Sequence, residues 1–89
     1  MAVSKIPAEI SRKPAEYIGG VNANDFTTTG FYQVGITTNS PYGNNTFYGI
    51  LLVFAGSNGH CQQLALHATG TYARGRNTSN DSFSAWRAL

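Results

Sequence analysis

Cys61, with His60 beside it and His67 six positions on, resembles in residue type a thiol nucleophile and its base. The run HCQQLALHA alternates as a strand does, so Cys61 and His67 share a face but stand about 20 Å apart along it. His60, adjacent to Cys61, points the other way. No dyad forms on a regular strand, and Cys61 is expected to be a buried structural thiol. A zinc site wants three or four ligands, and the second ligand pair of a finger or ribbon is missing. The chain has four carboxylates: Glu9 and Glu16 lie near the N-terminus, Asp25 and Asp81 in expected loops. That pattern brings together no acid pair of the kind glycoside hydrolysis needs. The residues therefore assign no catalytic group, no metal and no cofactor, and the expected class is non-enzymatic.

Tyr72, Arg74 and Arg76 alternate on one strand face. Such a face can stack on and hydrogen-bond an acidic sugar or a phosphate, with the loop from Tyr42 to Asn45 completing the surface. The same alternation also describes a solvated face or a subunit contact. At an exposed position of that kind Arg74→Ala changes stability by less than about 0.5 kcal/mol. Trp86 reads either as a sugar platform or as core. The glycosylation sequons at Asn44, Asn77 and Asn80 are products of an Asn-rich chain.

The elements that must position these residues belong to one small domain. At 89 residues, a chain buries only about 60 to 65% of the surface it exposes when unfolded. Hydrophobic residues make up 42% and aromatics 12%, enough for a folded β-rich core, while charged residues are only 11%. The polar surface is then built from Asn, Ser, Thr, Gln and Gly, a neutral surface suited to assembly. A formal charge of +2 is too small for a nucleic-acid footprint. No apolar run approaches the length of a membrane span, and MAVSKIPAEI lacks the apolar region of a secretory signal. A single cysteine makes no disulfide framework, in keeping with synthesis in the cytoplasm.

Five of the ten charged residues fall in the first sixteen positions. Pro7 and Pro14 forbid a continuous helix there, so residues 1–18 read as an extended arm whose Val3, Ile6 and Ile10 dock onto a neighbour. Residues 19–89 read as the domain proper. FYQVGIT sets Phe31, Gln33 and Gly35 against Tyr32, Val34 and Ile36, and NSPYGNN is a turn. TFYGILLVFAG is apolar on both faces and reads as a central strand covered on both sides, where Phe54→Ala costs about 3 to 5 kcal/mol. GSNGH supplies a hairpin turn, HCQQLALHA and GTYARGR two more strands, NTSND a loop, and SFSAWRAL a last strand. The whole predicts a mainly all-β chain, a small antiparallel sheet or sandwich of four to six strands behind an extended N-terminal arm.

Three stretches, NANDFTTTGFYQVG (Asn22 to Gly35), YGILLVFAG (Tyr48 to Gly56) and FSAWRAL (Phe83 to Leu89), resemble the knob domains of bacteriophage tail fibres and R-type pyocin fibres. That family opens on an L-T-T-x-G-x-Y-x-V run and closes on W-S-x-W-x-x-L; here Phe26 stands for the Leu and Phe83 for the first Trp. The resemblance covers about residues 22 to 89. It implies a knob-like fibre, head-fibre or capsid-decoration module of a virion, made in the bacterial cytoplasm. It also implies a homotrimer without catalytic residues. The partners expected are other copies of the chain, capsid, tail or fibre proteins and, in the alternative reading, a host surface glycan bound at Tyr72, Arg74, Arg76 and Tyr42.

Overall fold

The computed structural model describes residues 16–76 and 82–89. The arm residues Val3, Ile6 and Ile10 and the 77–81 loop lie outside the described residues. The chain is mainly β. Its strands are β1 (Tyr17–Asn22), β2 (Gly30–Thr38), β3 (Phe47–Ala55), β4 (Cys61–His67), β5 (Gly70–Arg76) and β6 (Arg87–Ala88), in one sheet whose spatial order follows the sequence. The sandwich alternative is thereby replaced by a single sheet. Strands β2 to β6 pair antiparallel.

Strand β1 departs from the expected meander, because it runs parallel to β2, from Tyr17 opposite Gln33 to Asn22 opposite Thr38. It also contains Ile18, so the expected boundary between residues 18 and 19 falls inside a strand. A parallel pair obliges the chain to return from the end of β1 to the start of β2. It does so over Ala23 to Thr29, which begins as a single 3-10 turn, Ala23–Asp25, capped by the Asn22 side chain accepting from Asn24 N at 2.9 Å. Parallel strands are usually joined by a dozen or more residues. Here the return is made in seven residues, part of them coiled in the 3-10 turn, so the segment is short for the crossing it makes. Its Ala23 is buried and its Phe26 packs on the core, with the Phe26 and Tyr32 rings edge to face at 5.0 Å.

This crossover defines an inner face. Val34, Ile36, Phe47, Leu51, Val53, Cys61 and Ala65 point into it and are buried, together with Ala23. Gly49 sits among them because a Cβ there would meet the Leu66 carbonyl oxygen and the Phe47 ring. The β3–β4 turn has Asn58 at φ 61° and Gly59 at φ 81°, the left-handed conformations that Asn and Gly adopt most cheaply. A Gly56 N–H donating to His60 O at 2.8 Å closes it. The last expected strand shrinks to Arg87–Ala88, preceded by a bridge between Phe83 and Arg76.

The opposite, outer face corrects the expectation for β3. The strand is apolar on both sides, yet only one is covered by the described residues. Phe54 is 53% and Tyr48 60% exposed, and Phe31, Ile50, Leu52, Leu64 and Leu66 lie beside them on the same face, all at least partly open. Phe54 is thus a surface residue, and the core phenylalanine of β3 is Phe47.

Candidate functional site

Arg74 is the focus of the inner face. Its position opposite Gln63 in the β4–β5 register turns both side chains inward. Expected to be exposed, Arg74 is 4% exposed and Gln63 fully buried. The guanidinium donates from Nε to Gln63 Oε1 at 2.7 Å and from Nη2 to Asn24 Oδ1 at 2.8 Å. Gln63 Nε2 in turn donates to the carbonyls of Ala23 and Phe26, at 2.8 and 2.9 Å. A polar chain so linked ties β5 through β4 to the crossover, and buried polar groups paired in this way avoid the desolvation penalty of orphaned ones.

The C-terminal run supplies the other walls. Between the Arg76–Phe83 bridge and the Ala73–Arg87 pair, Ser84, Ala85 and Trp86 face only Arg74 and Gly75. With three residues against two, the ladder is interrupted over this stretch. Trp86 here packs against the guanidinium, 4.6 Å from its ring centre, and Phe83 lies at 4.0 Å. Trp86 Nε1 donates to Asn39 O at 2.8 Å and so anchors the run to the β2–β3 loop. Burial lowers the Arg74 pKa to about 10, leaving it charged at neutral pH. None of its bonds reaches a carboxylate among the described residues; both acceptors are neutral amides.

The other expected residues separate into two groups. Tyr42 and Tyr72 do meet, edge to face at 5.6 Å, and Tyr42 continues onto Phe47 at 5.2 Å, so these rings serve the core margin. Arg76 stays with Arg74, its Nε donating to Gly59 O at 3.2 Å and its charge 5.4 Å from the Phe83 ring centre. Beside the two arginines a groove of about 810 Å³ opens between the Asn39–Asn44 loop and the C-terminal run; Asn24, Asn39, Ser40 and Asn44 also line it. No family model, curated protein or solved structure matches the chain. Its function is accordingly read from the arrangement of its own residues.

Cys61 and His67 end up at opposite ends of β4, as their spacing dictates. The thiol is buried and its Sγ–H points at Phe26 O, 3.9 Å away. Burial pushes its pKa up, only partly offset by the charges of Arg76 and Arg74, so it stays the unreactive thiol. His67 instead lies edge-on to Phe47 at 6.3 Å and caps the β4–β5 turn through Thr69. Asn24, Gln63 and Phe83 are the partners that reading Arg74 alone overlooks. Their trace in the sequence is the inward alternation Cys61, Gln63, Ala65, whose one polar large side chain needs a polar neighbour.

Proposed function

We propose that the chain is a non-enzymatic structural module of a bacteriophage particle. In this reading it is a knob-like fibre, head-fibre or decoration element, working as a homotrimer and attached to other virion proteins through the arm that carries Val3, Ile6 and Ile10. The observation that carries this reading is the outer face. Across β2, β3 and β4 it presents Phe31, Tyr48, Ile50, Leu52, Phe54, Leu64 and Leu66 with Gln33 and Gln62, and no charged side chain. A contiguous apolar face of this kind is characteristic of an interface. A patch uncharged across β2 to β4 meets its own copies there without repulsion, Arg87 lying at the β6 margin of the face, and three such patches turned toward a three-fold axis bury one another.

The inner face supports the same reading from another side. Two of the three stretches that resemble fibre knobs meet at Arg74, which bonds Asn24 from the first and packs on Phe83 and Trp86 from the last. Those stretches thus pack together. The test is multi-angle light scattering on the whole chain and on Leu52→Lys, whose site lies between Phe31 and Leu64 at the centre of the outer face. The wild type should run at three times the chain mass and Leu52→Lys as a folded monomer. A wild type that stays monomeric at about 100 μM, far above the dissociation constants of stable oligomers, overturns the proposal. A second reading, recognition of a host glycan, is favoured by the groove beside Arg74.

A further inference from the structure

We infer that the groove between the Asn39–Asn44 loop and the C-terminal run is a binding subsite for an acidic saccharide, its anionic group received at Arg74 and its hydroxyls by the surrounding amides. This rests on the glycan reading and is independent of the trimer, because one chain supplies every wall. Arg74 is a buried cation whose described hydrogen-bond acceptors are both neutral, Gln63 Oε1 and Asn24 Oδ1. Burying a charge on neutral acceptors, as the described residues do here, is costly, and an anion in the groove offsets that cost. A guanidinium has five N–H donors in a planar fork; two are used within the described residues, and Arg74 also lines the groove.

The rest of the lining favours a sugar as the body that bears the anion. Asn24, Asn39 and Asn44 offer planar amides and Ser40 a hydroxyl, while Trp86 supplies an aromatic edge. Such groups pair with the adjacent hydroxyls of a pyranose. A peptide would want apolar anchor pockets or a strand edge to extend. The volume, about 810 Å³, lies within the roughly 300 to 1,000 Å³ of small-molecule sites and has room for one or two sugar rings. No carboxylate lines it among the described residues.

The test uses the whole chain and its single tryptophan, Trp86, whose fluorescence reports from the groove wall. The probes are a uronic-acid oligosaccharide, the same oligosaccharide with its carboxyls reduced to alcohols, inorganic phosphate, and an acidic peptide. Saturable binding of the acidic oligosaccharide is expected, weaker by about tenfold or more after carboxyl reduction because a charge-assisted pair is lost. Asn44→Asp places a negative charge on the groove rim at an exposed residue. It should weaken binding by about tenfold while leaving melting and oligomeric state unchanged. The inference is overturned by an absence of saturable binding, by equal binding of the reduced oligosaccharide, or by indifference to Asn44→Asp. Binding of phosphate alone or of the acidic peptide as tight as that of the oligosaccharide also overturns it. Leu52→Lys, which tests the trimer, should bind the oligosaccharide as the wild type does, so the two proposals fail separately.

Discussion

Arg74 is held by two charge-assisted hydrogen bonds and two aromatic rings. Arg74→Met keeps most of the volume but leaves the buried Gln63 Oε1 without its donor, while the exposed Asn24 oxygen can turn to water. It should cost about 2 to 4 kcal/mol in urea unfolding, since hydrogen bonds to charged groups are worth about 1.5 to 3 kcal/mol and an orphaned buried acceptor adds a penalty. That reverses the expectation of near neutrality at this position. The two phenylalanines of β3 give the complementary contrast: Phe47→Ala should cost about 3 to 5 kcal/mol by opening a core cavity. Phe54→Ala should change unfolding of a monomeric background such as Leu52→Lys by less than about 1 kcal/mol, because its side chain is half in water already. Cys61 adds a pH dependence. Its folded pKa is raised above the ordinary 9.0, so the unfolded thiol ionises first and binds fewer protons than the folded one. The stabilisation it contributes is complete below pH 9 and is lost as pH rises beyond that value. Urea unfolding at pH 7.5 and pH 10 should show a larger loss for wild type than for Cys61→Ala, and native Cys61 should resist iodoacetamide until denaturant is added.

Among the elements, β3 and the crossover carry the greatest constraint. At Gly49 the Phe47 ring and the Leu66 carbonyl oxygen occupy the space of a Cβ. Gly49→Ala must shift backbone or a core ring, and a loss of about 1 to 3 kcal/mol is expected in thermal melts, as overpacking of a filled core costs. Gly56→Ala, where the nearest atom is His60 Cβ at an ordinary 3.5 Å, serves as the control and should melt within about 0.5 kcal/mol of wild type. The crossover explains why the first strand escaped the meander pattern. Gln63 has two carbonyls to reach, those of Ala23 and Phe26, and both become available only when that segment lies across the inner face. Running β1 parallel to β2 places it there. A tight antiparallel hairpin would have left the inner face of β4 without a cover.

The described residues form a sheet with two unlike sides, one roofed by the crossover, the β2–β3 loop and the C-terminal run, the other apolar and left uncovered among them. Arm and sheet are separable in the proposal, but the cut must respect β1. Truncation to Glu16 retains every strand among the described residues, whereas removal through Ile18 takes away two residues of β1 and uncovers part of the β2 edge. The shorter truncation should keep a cooperative melt and the trimer while abolishing incorporation into particles. The longer one should lower stability as well. Normal copy number in particles assembled with the Glu16 truncation would refute the attachment role of the arm.

What the sequence alone determined was local. Alternation in FYQVGIT and HCQQLALHA assigned faces within each strand correctly, and GSNGH marked its turn, because the two-residue period and turn-forming glycines depend on neighbouring residues only. The distance between Cys61 and His67 followed for the same reason. Which of the two faces is buried was decided by tertiary structure. On β4 the interior takes Cys61, Gln63 and Ala65 rather than the more apolar Leu64 and Leu66, since the crossover offers two carbonyls to which the Gln63 amide donates. The same choice buries Arg74 and exposes Phe54, against what their hydrophobicity suggests, and it builds the groove from Asn24, Asn39 and Trp86, residues separated by 15 and 47 positions. Hydrophobicity ranks side chains one at a time. A polar side chain is buried when partners remote in sequence complete its hydrogen bonds, and that pairing exists only once the chain has crossed its own sheet.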